Sequence, residues 1–146
     1  MNEKNERKKI AFYIGSLRKG GAERVFVNLA DYFQTEGYRV VIVTQYKRED
    51  EYDLPDGIER ILSDIGEEKV SASRVVNFFR RLNKLHVIWK EQEADLVLSC
   101  IGKNNFMTVV TTMGTKTKAV VSVVGEAKEE YQSRGMRMLA DFLFSR

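Results

Sequence analysis

Two apolar runs with a helical pattern between them constrain the fold of this sequence more than any other feature. Residues 10–14 and residues 40–43 are unbroken apolar runs, which is typical of strands covered on both faces in a parallel sheet. The residues between them repeat at helical spacing, and Gly37 ends the predicted helix. Its predicted apolar stripe consists of Ala22, Val25, Phe26, Leu29 and Phe33. The pattern predicts a strand–helix–strand unit whose first turn is rich in glycine.

The rest of the chain continues this alternation of strands and helices. The patterns predict a loop over 46–57, a short edge strand over 58–62, a helix from Ser71 or Ser73 to about Glu91, a strand over 96–98, a helix over 103–113, a strand over 119–124 and a helix over 127–144. The side chains of the long helix expected in the core are Val75, Phe78, Phe79, Leu82, Leu85 and Trp89. Because crossovers put helices on both faces of a parallel sheet, the predicted fold class is α/β, a three-layer Rossmann-like domain with a mostly parallel sheet.

Composition and charge exclude several classes of protein. The chain has 146 residues, of which 43% are hydrophobic, enough for one buried core. A net charge of +3 is too small to indicate a nucleic-acid-binding protein. Cys100 and His86 are the single cysteine and the single histidine, so an internal disulfide and a zinc cluster are excluded. Residues 1–8 form a charged tail without the apolar core of a signal peptide, and we expect a cytoplasmic protein.

The long helix carries a local excess of positive charge. Residues 71–90 contain five Lys and Arg residues and no Asp or Glu. Arg80, Arg81 and Lys84 are predicted opposite the apolar stripe, where they suit contact with an acidic partner or with anionic lipid headgroups at the inner face of a membrane. A solvated basic face explains the same charges. Both interpretations stay open.

The predicted sheet also indicates where a ligand would bind. Parallel α/β sheets bind ligands beyond the carboxyl ends of their strands, where the strand order reverses. With the first strand central, this point lies between the turn after Ile14 and the loop after Leu98. The segments expected to line the crevice are 15–24, 99–105 and 125–128.

The glycine-rich first turn matches neither of two familiar phosphate-binding motifs. The P-loop needs Lys and Ser or Thr after its second glycine, where Gly21 and Ala22 stand. The dinucleotide fingerprint needs glycine two residues after Gly15, where Leu17 stands. A glycine pair at a helix start still allows backbone N–H groups and the helix dipole to meet a diphosphate or a carboxylate. A tight strand-to-helix turn explains Gly20 and Gly21 equally well.

Other polar residues near the expected crevice have simple structural explanations. Cys100 ends a strand there, but no histidine is placed to activate it, so a small buried thiol is the favoured interpretation. His86 lies on the apolar side of the long helix and is interpreted as packed in the core or at a polar boundary. Lys103 and Asn104 are interpreted as solvent-facing or capping residues.

Several strings in the chain resemble the start of family 4 glycosyltransferases. The most specific is Gly-Gly-Ala-Glu-Arg at positions 20–24. The other matching strings are 9–17, 28–30, 37–40, 94–99 with Asn105 downstream, 121–122, 128–131 and 133–134. The resemblance covers nearly the whole chain.

This resemblance implies one half of a GT-B architecture, in which two Rossmann-like domains face a cleft. It implies transfer of a sugar from a nucleotide-sugar with retention of configuration, and without a metal or another cofactor. Gly20 and Gly21 would then lie beside the donor diphosphate, with Glu23 and Arg24 beginning the helix. Candidates for the acceptor side of the crevice are Ser16, Arg18, Cys100, Asn105 and Glu126.

The sequence departs from that family in two respects. Members often carry Glu-Arg-Asn-Asp-Pro or a histidine variant where positions 123–127 read Val-Val-Gly-Glu-Ala. Residues 9–146 resemble an amino-terminal, acceptor-side domain that stops before its last strand, and the donor-binding domain has no counterpart. We therefore expect a glycosyltransferase of polysaccharide or glycoconjugate synthesis that acts on a sugar or glycolipid and is inactive without its donor-binding domain, supplied in cis or in trans. The alternative is a non-catalytic binding or partner domain that has kept the fold.

Overall fold

Strands and helices alternate along the described part of the chain, except that the second and third strands follow each other without a helix between them. A computed structural model describes residues 7–67 and 70–123. The strands are β1 (Lys9–Ile14), β2 (Arg39–Thr44), β3 (Glu59–Leu62), β4 (Leu96–Cys100) and β5 (Lys118–Ser122), and the helices are α1 (Gly21–Thr35), α2 (Arg74–Gln92) and α3 (Gly102–Thr112). These bounds confirm the elements predicted from the sequence within the described residues. Glu126 and the predicted helix over 127–144 lie outside them.

The five strands form one parallel sheet in the order β3-β2-β1-β4-β5. The first strand is central, as predicted, because β1 pairs in parallel with β2 on one side and with β4 on the other. Phe12, for example, is level with Ile42 and with Leu98. This topology confirms the α/β, Rossmann-like fold class.

Alternate residues of β1 pack into two separate cores, which explains why residues 10–14 are all apolar. Phe12 and Ile14 belong to the core under α1. Ala11 and Tyr13 belong to the core under α2 and α3, together with Trp89. The two side-chain directions of the strand therefore each meet a helix layer, and neither meets water.

The stripe of α1 that faces the sheet is rotated from the predicted one. Phe26 and Ala30 are its buried residues, and the ring of Phe26 meets Phe12 edge-on at 5.5 Å between ring centres. Val25, which was predicted on the apolar stripe, is 53% exposed. The prediction is wrong at Val25, and Ala30, which was not predicted, is fully buried. The other predicted residues, Ala22, Phe26, Leu29 and Phe33, pack in or against this core and are confirmed.

Helix α2 begins where the sequence predicts, but its core face differs. The hydroxyl of Ser73 caps the helix by accepting from the Val76 N–H at 3.5 Å. Val75 and Phe79 were predicted in the core and are 64% and 63% exposed. The buried residues of this helix are Leu85, Ile88 and Trp89. The prediction fails at these two positions because α2 carries apolar residues on two faces.

Helices α2 and α3 are joined through Thr111. The indole Nε1 of Trp89 donates to Thr111 Oγ1 at 2.8 Å, and the Nδ1 of His86 lies 2.8 Å from the Thr111 carbonyl oxygen. Trp89 has no accessible surface and His86 is half-buried. The predictions of a core tryptophan and a histidine at a polar boundary are confirmed.

Among the helices in residues 7–67 and 70–123, none combines the length and the apolar character needed to cross a lipid bilayer.

Candidate functional site

The strand order reverses between β1 and β4, and the chain leaves these two strands toward opposite faces of the sheet. After Ile14 the chain leads to α1, whose Phe26 packs in one core. After Cys100 it leads to α3, whose Met107 packs in the other. Two connections that diverge from neighbouring parallel strands leave a crevice between them at the carboxyl edge. The reversal of strand order therefore lies where the sequence predicts it.

The glycine turn after β1 leaves its backbone open at two positions. Gly20 is the N-cap of α1 and has extended backbone, and Gly21 is the first helical residue. A Cβ atom added at Gly15 or at Gly21 would meet no heavy atom within 4 Å. Packing therefore does not require glycine at either position, and a ligand has room to approach the peptide groups there.

Glu23 folds back over the start of its own helix. A Cβ atom built on Gly20 would collide with the Oε2 atom of Glu23. A carboxylate in the first turn of a helix complements the positive end of the helix dipole. Arg24, the next residue, is exposed, and its N–H donates to the Gly20 carbonyl at 3.1 Å. The helix start is thus suited to an anion and is faced by the chain's own carboxylate.

An ion pair that is largely shielded from water anchors the glycine turn. This pair was not predicted from the sequence. Arg60 Nη1 donates to Glu51 Oε2 at 2.5 Å, and Arg60 Nη2 donates to Glu51 Oε1 at 3.1 Å. The Glu51 carboxylate also accepts from the Leu17 N–H at 3.2 Å. The side chains of Arg60 and Glu51 are 18% and 8% exposed. Their position is set by loop geometry over 45–58, for which the sequence pattern carries no signal.

The hydrogen bonds to Glu51 control its ionisation. The guanidinium of Arg60 lowers the pKa of this carboxyl from its ordinary 4.5 to about 2, with further lowering by the N–H groups of Arg48 and Leu17, while burial acts in the opposite direction. Arg60 also donates to Thr44 Oγ1 at 2.9 Å and to the Tyr46 carbonyl at 2.8 Å. These bonds hold the strand end of β2, the following loop and the glycine turn as one unit.

An open groove with both cationic and acidic side chains contains Arg18 of this turn. The groove has a volume of about 870 Å³ and is lined by Arg18, Lys47, Arg48, Glu49 and Asp50. Arg18 is exposed, and its backbone forms an isolated antiparallel bridge with Glu51. Lys19 pairs with Asp50 at 2.9 Å in solvent. With three cations and two carboxylates, the groove lining has a small excess of positive charge. Ser16, in the adjoining turn, is half-buried.

The connection between β4 and α3 is strained at Ile101. This residue caps α3 with φ +73° and ψ 129°, a conformation that a β-branched side chain rarely adopts. Asn104 Nδ2 donates to the Cys100 carbonyl at 3.3 Å, and the Asn105 N–H donates to the Ile101 carbonyl at 3.0 Å. Strained backbone of this kind is concentrated at functional sites. Sequence reasoning missed Ile101, because a β-branched residue after a strand predicts only more strand.

Asn105 ties the carboxyl ends of two neighbouring strands together. Its Oδ1 accepts from Ser99 Oγ at 2.9 Å, and its Nδ2 donates to the Ser122 carbonyl at 2.9 Å. Asn105 and Cys100 both have no accessible surface. This confirms the interpretation of Cys100 as a small buried thiol. A contact of either residue with an acceptor stays a prediction, as it does for Glu126.

Of the two polar residues at the start of α3, one caps the strand end and the other faces solvent. Asn104 is buried and bonds to the strand end, and Lys103 is exposed, as the sequence analysis expected. Within residues 7–67 and 70–123 there is no group of three or more His, Cys, Asp and Glu side chains placed to hold a metal ion.

Comparisons with known proteins show that this chain is similar to glycosyltransferases. No family model matches the chain. It is 26% identical over 114 residues to GalNAc-alpha-(1->4)-GalNAc-alpha-(1->3)-diNAcBac-PP-undecaprenol alpha-1,4-N-acetyl-D-galactosaminyltransferase of Campylobacter jejuni, a match covering 78% of this chain and 32% of that protein. The chain thus spans about a third of the length of this curated relative.

Two solved structures share the fold. Sucrose-phosphate synthase from Thermosynechococcus elongatus matches 96% of this chain with 41% of its own, with a TM-score of 0.67 and 13% identity. A glycosyltransferase from Rickettsia africae matches 90% of this chain with 35% of its own, with a TM-score of 0.56 and 16% identity. The resemblance to glycosyltransferases is confirmed, and the chain has the Rossmann-like fold of one half of a GT-B glycosyltransferase.

Proposed function

We propose that this chain is the acceptor-side, amino-terminal part of a nucleotide-sugar-dependent glycosyltransferase that retains anomeric configuration and acts in polysaccharide or glycoconjugate synthesis. The observation that carries the proposal is the open helix start at Gly20 and Gly21, located at the strand-order reversal of a fold shared with glycosyltransferases. The reaction takes place in the cytoplasm and needs no metal or other cofactor.

The role of this half is to stabilise the departing nucleoside diphosphate. The free N–H groups at the start of α1 and the helix dipole are aimed at the position where negative charge develops. Glu23 lies over that position and moves aside when the diphosphate binds. Arg24 begins the helix, and Arg18 adds positive potential from the neighbouring groove.

The acceptor is a sugar or a glycolipid. The Campylobacter jejuni relative is named for an undecaprenol-linked saccharide, and a lipid-linked acceptor brings the enzyme to the inner face of a membrane. The residues proposed to line the acceptor side are Ser16, Arg18, Cys100, Asn105 and Glu126. Since Cys100 and Asn105 are buried, they do not contact the acceptor directly and instead fix the positions of the strand ends that border it.

The donor-binding domain is supplied in cis or in trans, and the 146-residue chain alone is inactive. The test is the consumption of nucleotide-sugars by the purified chain, with and without a carboxyl-terminal GT-B domain. Transfer only in the presence of that domain is the expected result. Turnover of a nucleotide-sugar by the chain alone overturns the proposal that the chain is inactive without the donor-binding domain. An absence of transfer in every combination supports the alternative of a non-catalytic partner domain.

Binding at the helix start is tested separately by nuclear magnetic resonance. Titration with a nucleoside diphosphate is expected to shift the amide signals of Gly20 and Gly21. Gly21→Leu fills the open space at the turn and abolishes these shifts. Asn28→Leu, at an exposed position of the same helix, is the matched control and preserves them. Equal shifts in both variants contradict the assignment of this turn.

A further inference from the structure

Helix α2 carries a second apolar stripe on the side away from the core. Val76, Phe79 and Val87 recur at helical spacing and are 40%, 63% and 38% exposed. The buried residues Leu85 and Trp89 lie about half a turn away around the same helix. Within residues 7–67 and 70–123, neither core cluster includes these exposed residues, and a solvated helix face is ordinarily polar there.

The exposed stripe forms one wall of an open groove. The groove has a volume of about 710 Å³. Its residues come from α2 and from the segment that follows β3, and they are Asp64, Ile65, Val76, Phe79, Arg80, Asn83, Lys84 and Val87. Its lining is largely apolar, with cationic side chains from the helix and one carboxylate from the opposite wall. A contiguous exposed apolar surface of this kind marks an interaction site.

The charges around the groove favour an anionic occupant. Lys84 is exposed within the stripe, and Arg80 also lines the groove. Residues 71–90 contain no acidic residue. Asp64 is the carboxylate in the groove wall.

Arg81 belongs to a different surface. It is half-buried, and its charge acts on the hydroxyl of Tyr13, whose pKa is raised by burial and lowered in part by Ser63 and Arg81. Of the three basic residues singled out in the sequence, Arg80 and Lys84 therefore share the groove, and Arg81 lies off it.

We infer that this face of α2 is a docking surface for the phosphate-bearing surface of an anionic lipid bilayer. Phe79 and Val76 insert between the headgroups, while Lys84 contacts lipid phosphates. Lys and Arg beside exposed aromatic and aliphatic residues on one helix face form the pattern of interfacial membrane helices. The inference uses no catalytic step. Membrane docking can therefore fail while the proposed glycosyl transfer holds, and glycosyl transfer can fail while membrane docking holds.

The test is co-sedimentation of the 146-residue chain with lipid vesicles. Vesicles of phosphatidylglycerol and phosphatidylcholine are expected to bind the chain, pure phosphatidylcholine vesicles are expected to bind it far less, and added salt weakens the binding. Lys84→Glu is expected to reduce binding roughly tenfold or more, because each cation near an anionic membrane contributes substantially to attraction. Phe79→Ser is expected to reduce it similarly by removing the inserted ring.

Two matched variants separate this surface from general effects. Tyr32 is 57% exposed on α1 and, like Phe79, touches the ring of its neighbour edge-on, at 5.7 Å between ring centres. Lys116 is exposed in the turn between α3 and β5. Tyr32→Ser and Lys116→Glu are expected to bind vesicles as the unchanged chain does. Circular dichroism of all four variants verifies that each is folded.

Several outcomes would overturn the inference. One is an absence of binding to anionic vesicles by the unchanged chain. Another is equal binding by Lys84→Glu, Phe79→Ser and their controls. A third is a concentration-dependent dimer in analytical ultracentrifugation that Phe79→Ser abolishes, together with no vesicle binding, which assigns the groove to a second copy of the chain.

Discussion

Arg60 holds both carboxylate oxygens of Glu51, at 2.5 Å and 3.1 Å, in a pair that is largely shielded from water. Glu51 in turn accepts from the N–H of Leu17, so the pair reaches from an edge strand to the glycine turn. Removing one partner of a shielded pair leaves the other charge unpaired, which costs far more than an exposed pair contributes.

Arg60→Met is therefore expected to lower the free energy of unfolding by about 3 kcal/mol. Urea denaturation followed by circular dichroism measures this change. Lys19→Met removes the exposed pair with Asp50 and serves as the control, with no measurable change expected. Equal effects of the two substitutions would contradict the role assigned to the buried pair.

The same pair predicts how stability depends on pH. The folded-state pKa of Glu51 is about 2, below the ordinary 4.5. Its contribution to stability is therefore fully present above about pH 4.5 and is lost as the pH falls toward 2. Glu51→Gln is expected to flatten the acid side of the stability profile, measured by urea denaturation in a pH series. Parallel profiles for the two proteins would show that Glu51 is not the group responsible.

Strain at Ile101 is tested by comparing two truncations of the same side chain. Ile101→Gly is expected to be more stable than Ile101→Ala by about 1 kcal/mol, because an alanine Cβ atom is unfavourable at positive φ and glycine is not. At Lys103, an exposed residue of α3, the order reverses and alanine is favoured. Thermal and urea denaturation of the four variants give both differences. Alanine favoured at both positions would rule out strain at Ile101.

The buried amide of Asn105 predicts a cost for its removal. Asn105→Ala is expected to lower stability by about 2 kcal/mol, because the Ser99 hydroxyl and the Ser122 carbonyl lose their partner. Hydrogen exchange should show weakened protection in β5 before the rest of the sheet. Asn83→Ala, at an exposed position of α2, is the control and should change neither measurement.

Glu23 predicts an effect on anion binding at the start of α1. Its carboxylate lies against Gly20, where an incoming diphosphate must compete with it. Glu23→Gln is expected to tighten nucleoside diphosphate binding by roughly threefold or more, since a charge near a helix terminus contributes up to about 1 kcal/mol. Isothermal titration or amide shifts measure the affinity. Weaker binding by Glu23→Gln would instead make the carboxylate part of the binding site.

The order and type of the elements could be predicted from the sequence because residues 10–14 and 40–43 are buried on both faces and therefore apolar throughout, while the helix between them repeats at helical spacing. Helix α3 could also be predicted despite its β-branched run, and two hydroxyls of that run are satisfied within the helix. Thr111 and Thr112 donate their hydroxyls to the carbonyls of Met107 and Thr108, at 2.6 Å and 2.8 Å, one turn earlier.

The exposed face of α2 could not be predicted. A helix with two apolar stripes gives the same periodicity whichever stripe faces the sheet, and the sequence does not decide between Phe79 and Ile88. The pair Arg60–Glu51 and the backbone of Ile101 escaped prediction for a related reason. Both depend on how loops close in three dimensions, which residue spacing does not encode.

The central position of β1 also has a consequence for how the chain is made. Lys9 and Asp95 exchange hydrogen bonds at 2.7 Å and 2.9 Å although 86 residues separate them in sequence. On the ribosome, β1 emerges first but waits for β4 before both of its edges are paired. Until then an apolar strand that belongs in the middle of a sheet is exposed to other nascent chains. Synthesis of this fold therefore includes an interval in which β1 has an unpaired edge, and this interval ends only when residues 96–100 have left the exit tunnel.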